Sequence, residues 1–293
     1  MNRHMRLSSS NSTPSISRTS SPDPRAMAVS VAYNQKTLHL PRILCLHGGG
    51  TNARIFRAQC RVLSRQLEPY FRLVYVEAPF DSQPGPDVVS VYADYGPFKR
   101  WLRWLPDHAE LEDRAAVKDI NNSIQAAMDE DDDIGATGEW VGLLGFSQGA
   151  KLAASLLFRQ QKRVEKLGAK QAGSTWKFAV LLAGRAPLVS LDPDVFKSTM
   201  LSDPSQTGLA GPPDLMEAMS DGHILKLPTI HVHGLQDPGL HLHRELLEDY
   251  CSLESVTVLE WDGAHRVPLK GVDVNPLVDS IVEVAKRTGA LEN

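Results

Sequence analysis

Short apolar or β-branched segments alternate with longer amphipathic segments along the chain from about residue 38 onward. The short segments predict strands at RILCL (42–46), RLVYVEA (72–78), WVGLLGF (140–146), KFAVLLAG (177–184), PTIHVHG (228–234) and SVTVLEW (255–261). The amphipathic segments predict helices near residues 52–68, 111–128, 148–167 and 276–287. Strands that alternate with helices of this length are typical of βαβ units, so the pattern predicts an α/β fold with a mainly parallel sheet of about six strands and helices on both faces.

Two connections, residues 79–110 and 185–226, are too long for simple turns. Connections of this length in a compact domain are typical of lids or binding walls, and surface decoration is the alternative. The first contains clustered aromatic residues. We therefore expect a lid-like insertion in which Phe80, Trp101 and Trp104 contact the substrate.

The first 37 residues differ in composition from the rest of the chain. They are rich in Ser, Pro and Arg and contain no acidic residue before Asp23. Such a segment cannot bury enough apolar surface to fold, so we expect a disordered tail over residues 1–37 and one folded domain over 38–293. An organelle transit peptide is the alternative interpretation of the tail.

Composition excludes several classes of partner. With a formal net charge of −4, the chain would attract neither nucleic acid nor an anionic membrane surface. The longest apolar stretches, such as FAVLLAG, fall well short of the roughly 20 residues that span a bilayer. An odd, small set of cysteines (Cys45, Cys60 and Cys251) is typical of a reducing compartment, so we expect a cytoplasmic protein. The acidic run DEDDD (129–133) lacks the glycine and terminal glutamate of a calcium loop and predicts a solvated turn.

The segment GFSQG (145–149) fits the pattern G-x-S-x-G, with an apolar strand before it and a helical pattern after it. This context is what a strained strand-to-helix turn requires, because small residues on either side of the serine let the two backbones pass. Such a turn would expose the Ser147 hydroxyl above the sheet edge. Ser147 is therefore the predicted nucleophile.

A serine hydroxyl needs a base to take its proton, and that base is usually a histidine oriented by a carboxylate. On a sheet of this kind the chain order is Ser, then acid, then His. Asp237 follows the strand PTIHVHG and His265 follows the strand SVTVLEW, so we predict that they are the acid and the base. Rivals for these two roles are Asp262, His223, His231, His233, His241 and His243.

The run HGGG (47–50) follows the first predicted strand. Attack on a carbonyl creates an oxyanion, which backbone N–H groups stabilise, and glycine lets a loop present its N–H without obstruction. We expect the N–H of Gln148 to be one donor and the N–H of Gly49 or Gly50 to be the other.

Three other functions compete with this interpretation. The spacing Gly48-x-Gly50-x-x-Ala53, followed by Glu77 at the end of the next strand, also fits a dinucleotide-binding oxidoreductase. A metal hydrolase could use ligands from one short segment, namely His231, His233, Asp237, His241 and His243. A non-catalytic scaffold is the third alternative, although all three triad residues are present.

Taken together, these segments resemble the FSH family of serine hydrolases, an α/β-hydrolase branch that includes fungal enzymes encoded beside polyketide synthases. The resemblance covers residue 40 to the C-terminus and is carried by RILCLHGGGTNARIFRAQC, FRLVYVEAPFDSQPGP, YGPFKRWL, GLLGFSQGAKLAASLL, FAVLLAGRAP, HVHGLQDP and GAHRVP. It implies an α/β-hydrolase fold and a triad of Ser147, Asp237 and His265, with no cofactor and no metal.

The resemblance also implies a substrate class. Many members of the family look like esterases or thioesterases that release or trim a polyketide acyl chain. We therefore expect cleavage of a small-molecule ester or of a carrier-bound polyketide thioester, with a polyketide synthase as partner. A general short-chain carboxylesterase outside any polyketide pathway is the alternative.

Overall fold

The computed structural model describes residues 36–86 and 88–292. The predicted tail, residues 1–37, lies almost wholly outside the described residues. Thr37 is buried and its hydroxyl accepts a hydrogen bond from Arg72 Nη1 (2.8 Å), at the start of the described domain.

A six-stranded parallel sheet forms the centre of the domain, with the strand order β2-β1-β5-β6-β7-β8. Its strands are β1 (Arg42–Leu46), β2 (Arg72–Val76), β5 (Trp140–Phe146), β6 (Phe178–Leu182), β7 (Thr229–Gly234) and β8 (Val256–Trp261). Two further strands, β3 (Phe80–Ser82) and β4 (Phe98–Arg100), form a separate antiparallel pair within the first long insertion. The predicted α/β sheet is confirmed.

Helices cover both faces of the sheet, and each face has its own apolar core. One core contains residues of α1 (Ala53–Gln59), α2 (Arg61–Leu67) and α8 (Gly271–Arg287). The other contains residues of α4 (Asp113–Asp133), α5 (Gln148–Leu167) and α7 (Leu240–Tyr250). Alternate side chains of a strand feed the two cores, as expected for a sheet buried on both sides. The short helices α3 (Val89–Tyr92) and α6 (Leu215–Ala218) lie in the insertions.

The structure corrects two of the predicted elements and adds one. The helix expected over 52–68 is two helices that meet at Cys60. The acidic run 129–133 is not a solvated turn but the last turn of α4, and Asp131 within it is buried. Helix α7 was not predicted, because its buried positions, His243, Leu246 and Tyr250, include a histidine in a largely polar segment.

Among the described residues, no helix combines the length and the apolar character needed to cross a bilayer.

Candidate active site

Ser147 lies on a sharp turn between β5 and α5, with φ 53° and ψ −113°. This conformation is costly for a residue with a Cβ and persists only where the surroundings enforce it. The turn also needs glycine on both sides. A Cβ on Gly145 would lie 2.2 Å from Gly149 O, and one on Gly149 would lie 2.0 Å from Leu46 O. The strained strand-to-helix turn expected from G-x-S-x-G is therefore present.

The structure brings together the three residues predicted as a triad. His265 Nε2 lies 2.9 Å from Ser147 Oγ, and His265 Nδ1 lies 2.6 Å from Asp237 Oδ2. Ser147 follows β5, Asp237 follows β7 and His265 follows β8, so the carboxyl ends of three strands of one parallel sheet supply the three groups. In this geometry Nδ1–H donates to the carboxylate, which leaves Nε2 free to accept the serine proton.

The carboxylate of Asp237 is completely buried, whereas 19% of the His265 side chain is exposed. Burial raises the pKa of Asp237, but this effect is outweighed by the hydrogen bond from Gly239 N–H (2.8 Å), the hydrogen bond from His265 and the electrostatic interactions with His265 and His243. The pKa of Asp237 therefore lies below its usual range, and the group is a carboxylate at neutral pH.

Three of the rival residues, Asp262, His223 and His241, take no part in this contact network. Asp262 is exposed and accepts a hydrogen bond from Gln236 Nε2 instead of from a histidine. His223 lies against Tyr250, and its Nε2 donates to Asp249 O (3.0 Å). His241 is exposed on α7.

Three buried histidines extend away from the triad. Ring centroids are 5.9 Å apart for His231 and His233, 5.6 Å for His233 and His243, and 6.3 Å for His243 and His265. Burial lowers the pKa of His231 to about 3 and that of His243 to about 4. Both rings are therefore neutral at pH 7.

The metal-ligand set expected from the segment 231–243 is not assembled as predicted. Among the described residues, the group whose ligand atoms lie within 4.8 Å of one another is Asp237, His243 and His265. His243 Nε2 is 3.5 Å from Asp237 Oδ2. Because Asp237 and His265 already share a short hydrogen bond, this geometry is that of a triad with a third imidazole beside it.

Of the two candidate oxyanion donors in the HGGG loop, one is already engaged. Gly50 N–H donates to Lys99 O (2.9 Å), which corrects the expectation that Gly50 could face an oxyanion. Within residues 36–86 and 88–292, the N–H groups of Gly49 and Gln148 have no hydrogen-bond acceptor. Gly49 also packs closely on Gln148, since a Cβ there would lie 3.3 Å from its side-chain amide. Two residues with unpartnered backbone amides, Gly49 and Gln148, thus pack against each other at the start of α5.

The side chain of Gln148 ties this amide pair to the first insertion. Its Oε1 accepts hydrogen bonds from Trp101 N–H (2.7 Å) and Leu102 N–H (3.1 Å), and its Nε2 donates to Leu102 O (3.1 Å). Sequence reasoning treated only the backbone of Gln148 as functional. The G-x-S-x-G pattern specifies no side chain at this position, so it gave no signal for this contact.

Trp101 has a different role from the one expected. Its indole is fully buried, and its Nε1–H donates to His47 O (2.9 Å), at the start of the HGGG loop. Because the ring is fully covered and its one N–H donor is already satisfied, Trp101 is corrected from a substrate contact to a packing residue. Phe80 and Trp104 are partly exposed.

His47 fixes the other end of the loop. Its ring accepts a hydrogen bond from Ala78 N–H at Nε2 (3.1 Å), so Nδ1 carries the proton and donates to Gly48 O (2.8 Å). His47 was not predicted as a site residue, although the position before a glycine run is a recognisable signal.

Comparison with known proteins gives a consistent result. The sequence model of the family described as "Serine hydrolase (FSH1)" matches residues 37–277. The chain is 57% identical to "Esterase GME11355" of Pestalotiopsis microspora over 261 residues, which are 89% of this chain and 97% of that protein. It is 58% identical to "Probable esterase tazC" of Aspergillus terreus, over 86% of this chain and 95% of that protein. It is 56% identical to "Esterase pigG" of Monascus ruber, over 91% and 99%.

Proposed function

This chain belongs to the FSH1 family of serine hydrolases, and on that premise we propose that it is an esterase with Ser147 as nucleophile, His265 as base and Asp237 as the orienting carboxylate. The observation that carries the assignment is the pair of hydrogen bonds linking the three side chains at 2.9 Å and 2.6 Å. This chain of hydrogen bonds runs from a carboxylate through an imidazole to a serine on a strained turn. Such an arrangement activates the serine hydroxyl for acyl transfer.

The proposed reaction has two steps. His265 Nε2 takes the proton of Ser147 Oγ as the oxygen attacks the carbonyl carbon, and the N–H groups of Gly49 and Gln148 stabilise the oxyanion. The alcohol or thiol leaves with the proton held by His265. Water then attacks the acyl-enzyme with His265 as base, which restores Ser147.

Replacement of the nucleophile tests the mechanism. For Ser147→Ala we expect kcat with p-nitrophenyl esters to fall by roughly 10⁴- to 10⁶-fold, because the residual rate comes from binding and the oxyanion donors alone. Circular dichroism should remain that of the wild type. Ser90→Ala is the matched control, since Ser90 is an exposed serine on α3. Full activity in Ser147→Ala, or equal losses in both variants, would rule out Ser147 as the nucleophile.

The proposal also covers the acyl group of the substrate. The relatives named above are all esterases from fungi, and the sequence resembles family members that act on polyketides. We extend the proposal to a polyketide acyl chain held as an ester or a thioester, with a polyketide synthase as its source and a cytoplasmic location. Rates with acetyl, octanoyl and β-ketoacyl esters and N-acetylcysteamine thioesters separate this from a short-chain carboxylesterase, which would prefer acetyl.

The oxidoreductase alternative is not supported, because the family is one of serine hydrolases. The residues that would have to bind the dinucleotide also make hydrogen bonds to other parts of the chain. Gly50 N–H donates to Lys99 O, and Glu77 Oε1 accepts a hydrogen bond from Ala53 N–H (3.3 Å), at the start of α1.

A further inference from the structure

Four neighbouring side chains of the first insertion hold buried N–H groups that find no acceptor. Among the described residues, no hydrogen bond is made by Arg100 Nε and Nη1, Arg103 Nε, Trp104 Nε1 or His108 Nε2. Arg100 is 4% exposed and His108 is 9% exposed. We call Arg100, Arg103, Trp104 and His108 the donor cluster.

Every unpartnered nitrogen in the donor cluster donates rather than accepts. The arginine and indole nitrogens carry hydrogen and have no acceptor role. His108 Nδ1 accepts from Trp104 N–H (3.5 Å) and Leu105 N–H (3.4 Å), which places the ring proton on Nε2. Buried polar groups are normally paired, so a set that consists only of donors indicates a missing acceptor.

The donor cluster also has unbalanced positive charge. In the part of the chain that the structure describes, no carboxylate lies within ion-pair distance of Arg100, whose guanidinium lies 5.1 Å from the Phe80 ring centroid. Asp81 pairs with Lys99 (2.6 Å) and points to solvent, while Glu110 pairs with Arg103 Nη1 (3.1 Å). A buried, uncompensated guanidinium is costly unless a ligand supplies the counter-charge.

Neighbouring charges act on one another within the cluster. Burial and then the charge of Arg103 lower the pKa of Arg100, against a smaller opposing effect of Asp81. Burial and then Arg100 lower the pKa of His108, with Asp107 acting the other way and Arg103 adding to the decrease. The ring centroids of Trp104 and His108 are 5.5 Å apart. The four side chains are therefore neighbours.

The backbone connects this cluster directly to the reacting groups. Arg100 lies between Lys99, whose carbonyl holds the HGGG loop through Gly50 N–H, and Trp101, whose N–H donates to the Gln148 side chain. A ligand group bound by Arg100 would therefore be held by the same segment that supports the two unpartnered amides of Gly49 and Gln148.

We propose that the donor cluster binds an anionic oxygen group, a carboxylate or a phosphate, carried by the ester that Ser147 cleaves. This inference rests on the proposed esterase function and adds a substrate class to it. Both anions offer several acceptor oxygens and a counter-charge, and the planar guanidinium matches either one with two parallel hydrogen bonds. The anion could lie on the acyl side of the scissile bond or on the leaving group.

Matched substrate pairs test the proposal and separate its two sources. p-Nitrophenyl hemiglutarate and p-nitrophenyl valerate differ only in a terminal carboxylate on the acyl side. S-Butyryl-4′-phosphopantetheine and S-butyryl-pantetheine differ only in the phosphate of the leaving group. We expect wild-type kcat/KM to favour the anionic member of at least one pair, and Arg100→Gln to reduce that preference about tenfold or more, as for loss of a charged hydrogen bond. The substrate pair whose preference falls in Arg100→Gln shows whether the bound anion belongs to the acyl side or to the leaving group.

Arg114→Gln is the control for a general change in charge, because Arg114 is an exposed arginine paired with Asp194. It should keep the wild-type preference. Equal wild-type rates within both pairs would overturn the proposal, as would an Arg100→Gln variant that slows neutral and anionic esters equally. Cleavage of the neutral esters reports separately on the proposed esterase function.

A second measurement covers the case in which Arg100→Gln does not fold. Glutarate and inorganic phosphate are the probes, and binding is read as a rise in the Tm of the Ser147→Ala protein. Arg103→Gln, combined with Ser147→Ala, removes one donor from a partly exposed position and should reduce that rise. No rise with either anion, or an unchanged rise in the Arg103 variant, would contradict the proposal.

Discussion

Asp237 and Asp262 differ in what surrounds each carboxylate, although either could have been the acid by its position in the chain. Asp237 is fully buried and accepts hydrogen bonds from Gly239 N–H at one oxygen and from His265 at the other. Asp262 is exposed and is contacted by the Gln236 amide. Burial gives the Asp237 carboxylate one fixed orientation, which is what the imidazole of His265 requires.

Asp237→Asn should therefore lower kcat on the order of 10⁴-fold with p-nitrophenyl esters, because an amide no longer enforces the tautomer that leaves Nε2 free for Ser147. Asp262→Asn, the same chemical change 25 residues later in the chain, should stay close to the wild-type rate. Steady-state kinetics on the two variants decides between them. A larger loss in Asp262→Asn would transfer the role to that residue.

Among individual residues, the sequence predicted those that belong to a catalytic motif. It missed the side chains that hold the catalytic loops in place. Ser147, Asp237 and His265 follow from a required chain order and from positions just past predicted strands. Trp101 N–H donates to the Gln148 side chain, 47 positions away, and Trp101 Nε1–H donates to His47 O, 54 positions away. No local pattern encodes such contacts. Gly50 was misjudged because only the structure shows that Lys99 O already accepts its N–H.

Helix α4 shows why one polar element was predicted wrongly. Its acidic end carries several carboxylates, which suggests solvent, yet Asp131 points inward. Asp131 accepts hydrogen bonds from Arg72 Nη2 (2.6 Å) and Arg72 Nε (2.9 Å) and lies 3.4 Å from Arg42 Nη1. Arg42 and Arg72 begin β1 and β2, so the helix is joined to the starts of two strands. Apolar periodicity alone cannot reveal a buried ion pair.

Removing that carboxylate should be costly. For Asp131→Asn we expect a loss of about 3–5 kcal/mol in the free energy of unfolding, because the buried Arg72 guanidinium loses a close carboxylate partner and Arg42 retains only Asp132 of its two. Asp133→Asn, in the same turn but exposed, should change it by less than about 0.5 kcal/mol. Urea unfolding monitored by circular dichroism measures both. Equal effects would mean that the acidic run acts only as a solvated surface.

For the whole molecule, the sheet was predictable because its strands are short segments rich in apolar and β-branched residues, flanked by polar segments. The connections were less predictable. The β3–β4 pair is too short to show a period, and α7 has a histidine at a core position. Buried histidines on more than one element also make the stability of the whole domain depend on pH.

Stability should fall as the pH drops from about 6.5 toward 4, since the folded state holds neutral histidines that the unfolded chain would protonate. Burial lowers the pKa of His231 from 6.5 to about 3 and that of His243 from 6.5 to about 4. In this window the unfolded state binds more protons than the folded state, so the free energy of unfolding rises with pH and is lost on acidification. Each histidine contributes at most about 1.4 kcal/mol per pH unit.

Urea unfolding at pH 7 and pH 5 should show this slope, and His231→Gln should flatten it. His241→Gln, exposed on α7, should leave it unchanged. A slope that His231→Gln leaves intact would place the proton-linked loss of stability on other groups, since the depressed pKa of Asp237 contributes only as the pH falls below about 4.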